Sequence, residues 1–168
     1  MKFLIVVDMQ NDFISGALGS AAAEAIVGKV VSKVKSFDGK VIFTRDTHGT
    51  DYLETREGRH LPVVHCVKDT YGWQICDSLA PYADVVLDKP TFGSTDLAGL
   101  IKSMTDDISH IELCGLCTDI CVISNAMLLK AAFPEVDISV DSSACAGVSA
   151  ESHGKALDAM RMVQIEVN

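Results

Sequence analysis

No stretch of this chain stays apolar long enough to span a bilayer. Basic residues are scarce, with 14 Lys and Arg against 23 Asp and Glu and a formal net charge of -9. Nucleic acid or an anionic membrane would require a cationic face, so neither is expected as a partner, and a small-molecule ligand fits better. Proline is sparse, and no Gly/Ser tract, repeat or single-charge block marks a linker or a disordered segment. The apolar run at the N-terminus, "FLIVV", stops at Asp8 without a small-residue cleavage site and reads as a strand, not a signal peptide. Six cysteines without such a signal point to reduced thiols and a cytoplasmic location. The 168 residues, 48% of them hydrophobic, suffice for one core, so a single domain over 1–168 is expected.

Short β-branched runs alternate with helical patterns along the chain. Strands are expected at 2–8, 40–46, 84–89, 109–115, 136–142 and 162–168, most of them apolar on both faces, as buried parallel strands are. Helices are expected at 20–37, 94–104, 118–133 and 149–161, opening on Ser or Thr at cap positions. That alternation is the pattern of a doubly wound α/β sheet. Residues 47–82 break it with charge, histidines and turn formers, which suggests a binding loop. In such folds the ligand lies beyond the carboxyl ends of the strands, where Asp8, Asp46, Lys89 and the loop before Cys121 fall.

Cys114, Cys117 and Cys121 follow a C-x2-C-x3-C spacing that could suit a metal cluster. Cys114 belongs to a strand and Cys121 to the next helix, however, so their side chains need not converge, and buried structural thiols are the simpler reading for Cys114 and Cys117. Cys121 differs: if Thr118 and Asp119 cap the helix, its thiol sits in the first turn, where free N–H groups favour a thiolate and could hold an oxyanion. Asp8 could exchange a proton with that thiol, and Lys89 could balance the charge of both, although a turn-capping aspartate and a solvent-end lysine are the plain alternatives. Asp46 and His48 stand at i and i+2 on one side of an extended segment, and with His65 they form a set suited to zinc, iron or manganese. The glycines of "SGALGS" lack the partners of a nucleotide-binding loop.

Taken together and in order, "LIVVDMQNDF", "TRDTH", "HLPVVHC", "LDKPTFGST" and "CGLCTDICV" resemble the isochorismatase-like cysteine hydrolases, nearly end to end, and most closely their nicotinamidase and pyrazinamidase branch. The resemblance implies a three-layer α/β/α sandwich with a mostly parallel six-stranded sheet. It implies Asp8 as proton-transfer base, Lys89 as charged partner and Cys121 as nucleophile. It also implies a cis peptide between Leu116 and Cys117 that aims the N–H groups of Cys117 and Cys121 at an oxyanion. A divalent metal, most simply zinc, would be held by Asp46, His48 and His65, with Glu57 or Glu54 as a fourth ligand and Glu57 preferred. Phe13 and Phe92 are the candidate ring contacts, and Trp73 is expected to pack the loop. Where nicotinamidases usually carry an aromatic residue before the second histidine, this chain has Leu61 and Pro62. The implied reaction is hydrolysis of a small carboxamide, nicotinamide or pyrazinamide, through a thioester. A carbamoyl substrate such as N-carbamoylsarcosine, the vinyl ether of isochorismate, and a silent scaffold are the alternatives. Self-association into a homo-oligomer is a further expectation from the family.

Overall fold

The computed structural model describes residues 1–168. The chain runs β1 (Lys2–Val7), α1 (Asn11–Ile14), α2 (Ala21–Ser36), β2 (Lys40–Asp46), α3 (Arg56–His60), β3 (Val86–Lys89), α4 (Leu97–Met104), β4 (His110–Leu116), a π-helical turn (Thr118–Val122) leading into α5 (Ile123–Ala132), β5 (Asp137–Ala146), α6 (Ala150–Met162) and β6 (Glu166–Val167). All six strands are parallel, in the order β3-β2-β1-β4-β5-β6. The chain therefore winds outward from β1 in one direction and from β4 in the other. Right-handed crossovers then place α2 on one face and α4, α5 and α6 on the opposite face, giving three layers. The crevice between the ends of β1 and β4 is the switch point where such sheets bind ligands.

Central position explains composition. In β1, Phe3 to Val7 are all fully buried, because helices cover both faces of a strand that has neighbours on both sides. Ser20 caps α2 by accepting from Ala23 N at 3.1 Å, and Ser149 with Ser152 forms a reciprocal capping box at the start of α6. The helix expected from residue 94 begins only at Leu97, since Ser94 is used in the preceding turn: its N–H donates to Asn125 Oδ1 and its Oγ accepts from Asp96 N. The last strand shrinks to Glu166–Val167 because α6 continues through Met162. All six cysteines are free, and no helix is long and apolar enough to cross a membrane.

One polar link ties α2 to the sheet far from the strand ends discussed above. Lys33 Nζ lies 2.9 Å from Glu112 Oε1 on β4 and 2.7 Å from Asp141 Oδ2 on β5. Burial works against the Lys33 charge, but its two carboxylate partners outweigh it and raise its pKa. Burial likewise works against the Asp141 carboxylate, but Lys33 and Ser143 lower its pKa overall. A carboxyl depressed by folding stabilises the protein above its unfolded pKa and loses that contribution as pH falls through the folded value. Lys33→Met is thus expected to cost about 1 kcal/mol at neutral pH, allowing for partial solvent screening. Denaturant titrations should show this deficit shrinking below the ordinary carboxylate range. An equal deficit at every pH would mean that Lys33 acts through packing alone.

Candidate active site

Three strand ends build the centre. Asp8 follows β1 with φ at 47°, a left-handed conformation that costs a non-glycine residue about 1–3 kcal/mol and persists only when its surroundings hold it. Here they do: Asp8 N donates to Thr44 O, Gln10 N to Asp8 O, and Thr44 Oγ1 to Asp8 Oδ1 at 2.7 Å. Lys89 closes β3 and pairs in register with Asp46 at the end of β2. Cys121 lies in the π-helical turn after β4.

The turn into Cys121 does not use the expected cis peptide. No peptide bond in the chain is cis, that between Leu116 and Cys117 included. The chain is redirected instead by Gly115, at φ 115°, where a Cβ would collide with the Val7 carbonyl oxygen on the neighbouring strand. The register of β4 against β5 shifts at the same place. Nor do Thr118 and Asp119 cap the helix. Cys117 occupies the cap position without a side-chain bond, and its carbonyl accepts from both Ile120 N and Val122 N. Thr118 Oγ1 pairs with His153 Nδ1 at 2.8 Å, while the Asp119 carboxylate accepts from Val148 N. The two side chains fasten the turn that carries Cys121 to α6, through His153, and to the loop before it, through Val148.

Asp8, Lys89 and Cys121 converge. The Lys89 ammonium lies 2.6 Å from Asp8 Oδ2, 3.5 Å from Cys121 Sγ and 3.4 Å from Asp46 Oδ1, and donates to Thr91 O at 3.1 Å. Asp8 and Lys89 are fully buried and Cys121 is nearly so. The Lys89 contact lies off the hydrogen-bond direction, which leaves Asp8 Oδ2 without an aligned donor inside the protein. A carboxylate oxygen in that condition is a ready proton acceptor.

Burial sets the protonation states. It raises the Asp8 pKa, with the Asp46 charge adding to the effect and Lys89 opposing it. It also lifts the Cys121 thiol well above its ordinary value, and the negative charge of Asp8 adds to that. Burial would lower Lys89, but Asp8, Cys121 and Asp46 outweigh it and keep the ammonium charged. Desolvation thus opposes the thiolate that the start of the helix favours and holds Cys121 toward the thiol, beside the Asp8–Lys89 pair, in keeping with a sulfur whose proton Asp8 takes. Cys117, pushed up to about 12 by burial, and Cys114, which burial raises well above its ordinary value, are thiols as well.

Asp46, His48, Glu57 and His65 form a second cluster, their nearest ligand atoms all within 4.8 Å of one another. His48 Nε2 is 2.9 Å from Asp46 Oδ2 and 3.6 Å from Glu57 Oε1, and His65 Nε2 is 3.7 Å and 3.8 Å from the same two atoms. Ligands about 2.1 Å from one ion stand about 3.0 Å apart in an octahedron and about 3.4 Å apart in a tetrahedron, so the spacing suits a metal. His48 Nε2 is buried without an aligned hydrogen-bond partner, and Val63 O holds His65 Nδ1 at 2.7 Å, leaving Nε2 for a ligand role. Tyr52, fully buried, packs against both imidazoles. Three carboxylates, of Asp8, Asp46 and Glu57, meet one ammonium here, and a divalent cation would correct that imbalance. The cluster is a candidate site for a divalent metal, and it includes Glu57 while Glu54 stays outside.

His48→Ala should lower the affinity for such an ion by at least about 100-fold. Elemental analysis of protein purified without chelator is expected to find near-stoichiometric metal in the parent and little in the variant. Unchanged content would remove His48 from the site.

A cavity of about 570 Å³ opens onto both clusters, lined at this end by Asp46, Glu57, His65, Cys117 and Cys121. Leu116, Phe13 and Phe92 line it too. The Phe13 ring centre lies 5.5 Å from that of His65, while Phe92 is about half exposed. Trp73 stays outside the cavity, stacked on Arg45 and bonded to Thr47 Oγ1, and Leu61 takes part of the wall.

Sequence reasoning missed several residues that position this machinery. The Gln10 amide clamps Asp46 through bonds to both its N–H and its carbonyl and also donates to Trp73 O. Asp12 Oδ2 accepts from Cys66 N at 2.8 Å, anchoring the segment that carries His65, where Cys66 itself has φ 47°. Asn125 donates to Cys121 O and Phe92 O, joining the turn that carries Cys121 to the loop after Lys89. The available signals were the polar run "DMQND" following an apolar strand and one asparagine four residues beyond Cys121 in a mostly apolar helix.

Comparison with known proteins agrees with this construction. The isochorismatase domain family matches residues 2–167. A nicotinamidase of Schizosaccharomyces pombe is 30% identical over 203 aligned positions that take in 98% of this chain and 91% of the relative. The pyrazinamidase of Pyrococcus horikoshii, solved in complex with zinc, superposes with a TM-score of 0.83 at 28% identity, covering 99% of this chain and 98% of that one. The N-carbamoylsarcosine amidase from Thermoplasma acidophilum superposes with a TM-score of 0.80 at 27% identity, covering 99% and 95%.

Proposed function

This chain belongs to the isochorismatase family, and we propose that within it the protein is a cysteine amidohydrolase that converts nicotinamide or pyrazinamide to the acid and ammonia. The observation that carries the reading is the Lys89 ammonium set between Asp8 Oδ2 and Cys121 Sγ at the wall of a cavity shared with Asp46, Glu57 and His65.

In the proposed course, Asp8 takes the Cys121 proton as Sγ attacks the carboxamide carbon, so the sulfur becomes nucleophilic only with substrate in place. The tetrahedral oxyanion is held by N–H groups at the start of the turn, where the first donors of a helix have no intrahelical partner. Protonated Asp8 then gives its proton to the departing nitrogen, ammonia leaves, and a Cys121 thioester remains. Asp8, again a carboxylate, takes a proton from water as the oxygen adds to the thioester carbon, and the acid is released as Sγ recovers a proton. Lys89 stays charged throughout and offsets the negative charge that passes between Asp8 and Cys121. A divalent metal on Asp46, His48, Glu57 and His65 would supply Lewis-acid coordination for the ring nitrogen and for water. Zinc is the proposed ion, since two imidazoles and two carboxylates suit it and a similar pyrazinamidase carries it.

The metal-ligand set favours an aromatic amide over a carbamoyl compound, and the placement of Sγ favours either over vinyl-ether cleavage, which gives the sulfur no role. In an ammonia-release panel, kcat/KM for nicotinamide or pyrazinamide is expected to exceed that for N-carbamoylsarcosine by about 100-fold or more. The reverse order would reassign the substrate while leaving the chemistry in place.

A further inference from the structure

The cavity is larger than the reacting groups alone require. Its wall also includes Ala17, Leu18, Ser20 and Ala23, at and before the start of α2, and Gly147 and Val148 after β5. None of these side chains is charged, and the one hydroxyl, that of Ser20, is already engaged as the cap of α2. Nicotinamide, at roughly 30 Å³ of liquid volume for each of its nine non-hydrogen atoms, fills at most about 270 Å³, less than half of the 570 Å³ present. A nicotinamide with its carboxamide at Cys121 would thus leave room in the cavity for a substituent on its ring. At Val148 the wall is tied to the turn that carries Cys121: the Asp119 carboxylate accepts from Val148 N with both oxygens, at 3.1 and 3.2 Å.

We propose that this uncharged part of the wall is an apolar subsite, and that the preferred substrates are aromatic carboxamides bearing an uncharged alkyl or fused-ring substituent on the edge remote from the amide and the ring nitrogen. The inference rests on the amidohydrolase reading above and specifies its substrate class. Each methylene buried against such a wall contributes about a fourfold gain in kcat/KM. Ring carboxylates gain nothing there, because no cation faces them.

The test compares kcat/KM for ammonia release from nicotinamide and from its methyl, propyl and carboxylate derivatives on that edge. A gain of at least about tenfold from hydrogen to propyl, with no gain for carboxylate, is expected. Ala17→Phe and Val148→Phe, both at exposed positions and so compatible with folding, should each lower the propyl-to-hydrogen ratio at least about fivefold by occupying the space. A flat or falling alkyl series in the parent, or a ratio unmoved in both variants, overturns the subsite and leaves nicotinamide hydrolysis standing. Absence of ammonia from every amide would instead overturn the activity on which it rests.

Discussion

Cys121→Ala is expected to abolish turnover, lowering kcat for ammonia release by about 10⁴-fold or more, the scale of losing a nucleophile that acts as one unit with its base. Of the six cysteine sulfurs, that of Cys121 is the one in contact with the Lys89 ammonium, at 3.5 Å. Cys114 is buried in β4, and Cys117, on the cavity wall, is a thiol pushed up to about 12. The variant should fold, since removing one sulfur from the turn breaks no backbone bond, and metal content should be unchanged because Cys121 is outside the ligand set. Full turnover in a folded alanine variant would make the reaction one of activated water and not of sulfur.

Lys89→Met is expected to damage stability and activity together. The ammonium is fully buried and faces Asp8, Asp46 and Cys121. Breaking a buried pair from one side costs about 3–5 kcal/mol, because the partner charges remain without compensation. For a chain of this size that corresponds to a melting temperature lower by about 10 °C. The sign of the effect on chemistry follows from the raised pKa of Asp8: Lys89 opposes that rise, so its loss lifts the carboxyl further and leaves less carboxylate at neutral pH to accept the thiol proton. Ammonia release should fall by about 10²-fold or more. A variant as stable as the parent would show that the pair is not closed in solution, and full activity would remove Lys89 from the mechanism.

The sheet was legible because its physics is local. Strands such as "FLIVV" and "HIELCGL" are apolar on both faces, and only a sheet covered by helices on each side accepts them. Knowing which residues end those strands was enough to gather Asp8, Asp46 and Lys89 at one edge, and the i, i+2 spacing was enough to align Asp46 with His48. What stayed hidden depends on long-range packing. The left-handed Asp8 is held by Thr44 from the neighbouring strand. The π-helical turn arises where Gly115 presses against β1, not from any capping pattern. Asp119 carries the look of a helix cap and instead holds Val148, 29 residues away. The thiol state of Cys121 also needed the fold, because burial opposes the start of the helix and only a folded chain settles which is larger. Glu57 was separated from Glu54 in the same way, by one turn of α3 that brings a single carboxylate over His48.

The most direct test of the account is a rapid acid quench of the enzyme during turnover of nicotinamide, followed by intact-mass analysis and peptide mapping. An acyl group on Cys121, formed in step with a burst of ammonia and absent from Cys121→Ala, is the predicted result. Steady ammonia release with no acylated protein at any quench time, under conditions that preserve thioesters and in an enzyme slowed at deacylation, would contradict it.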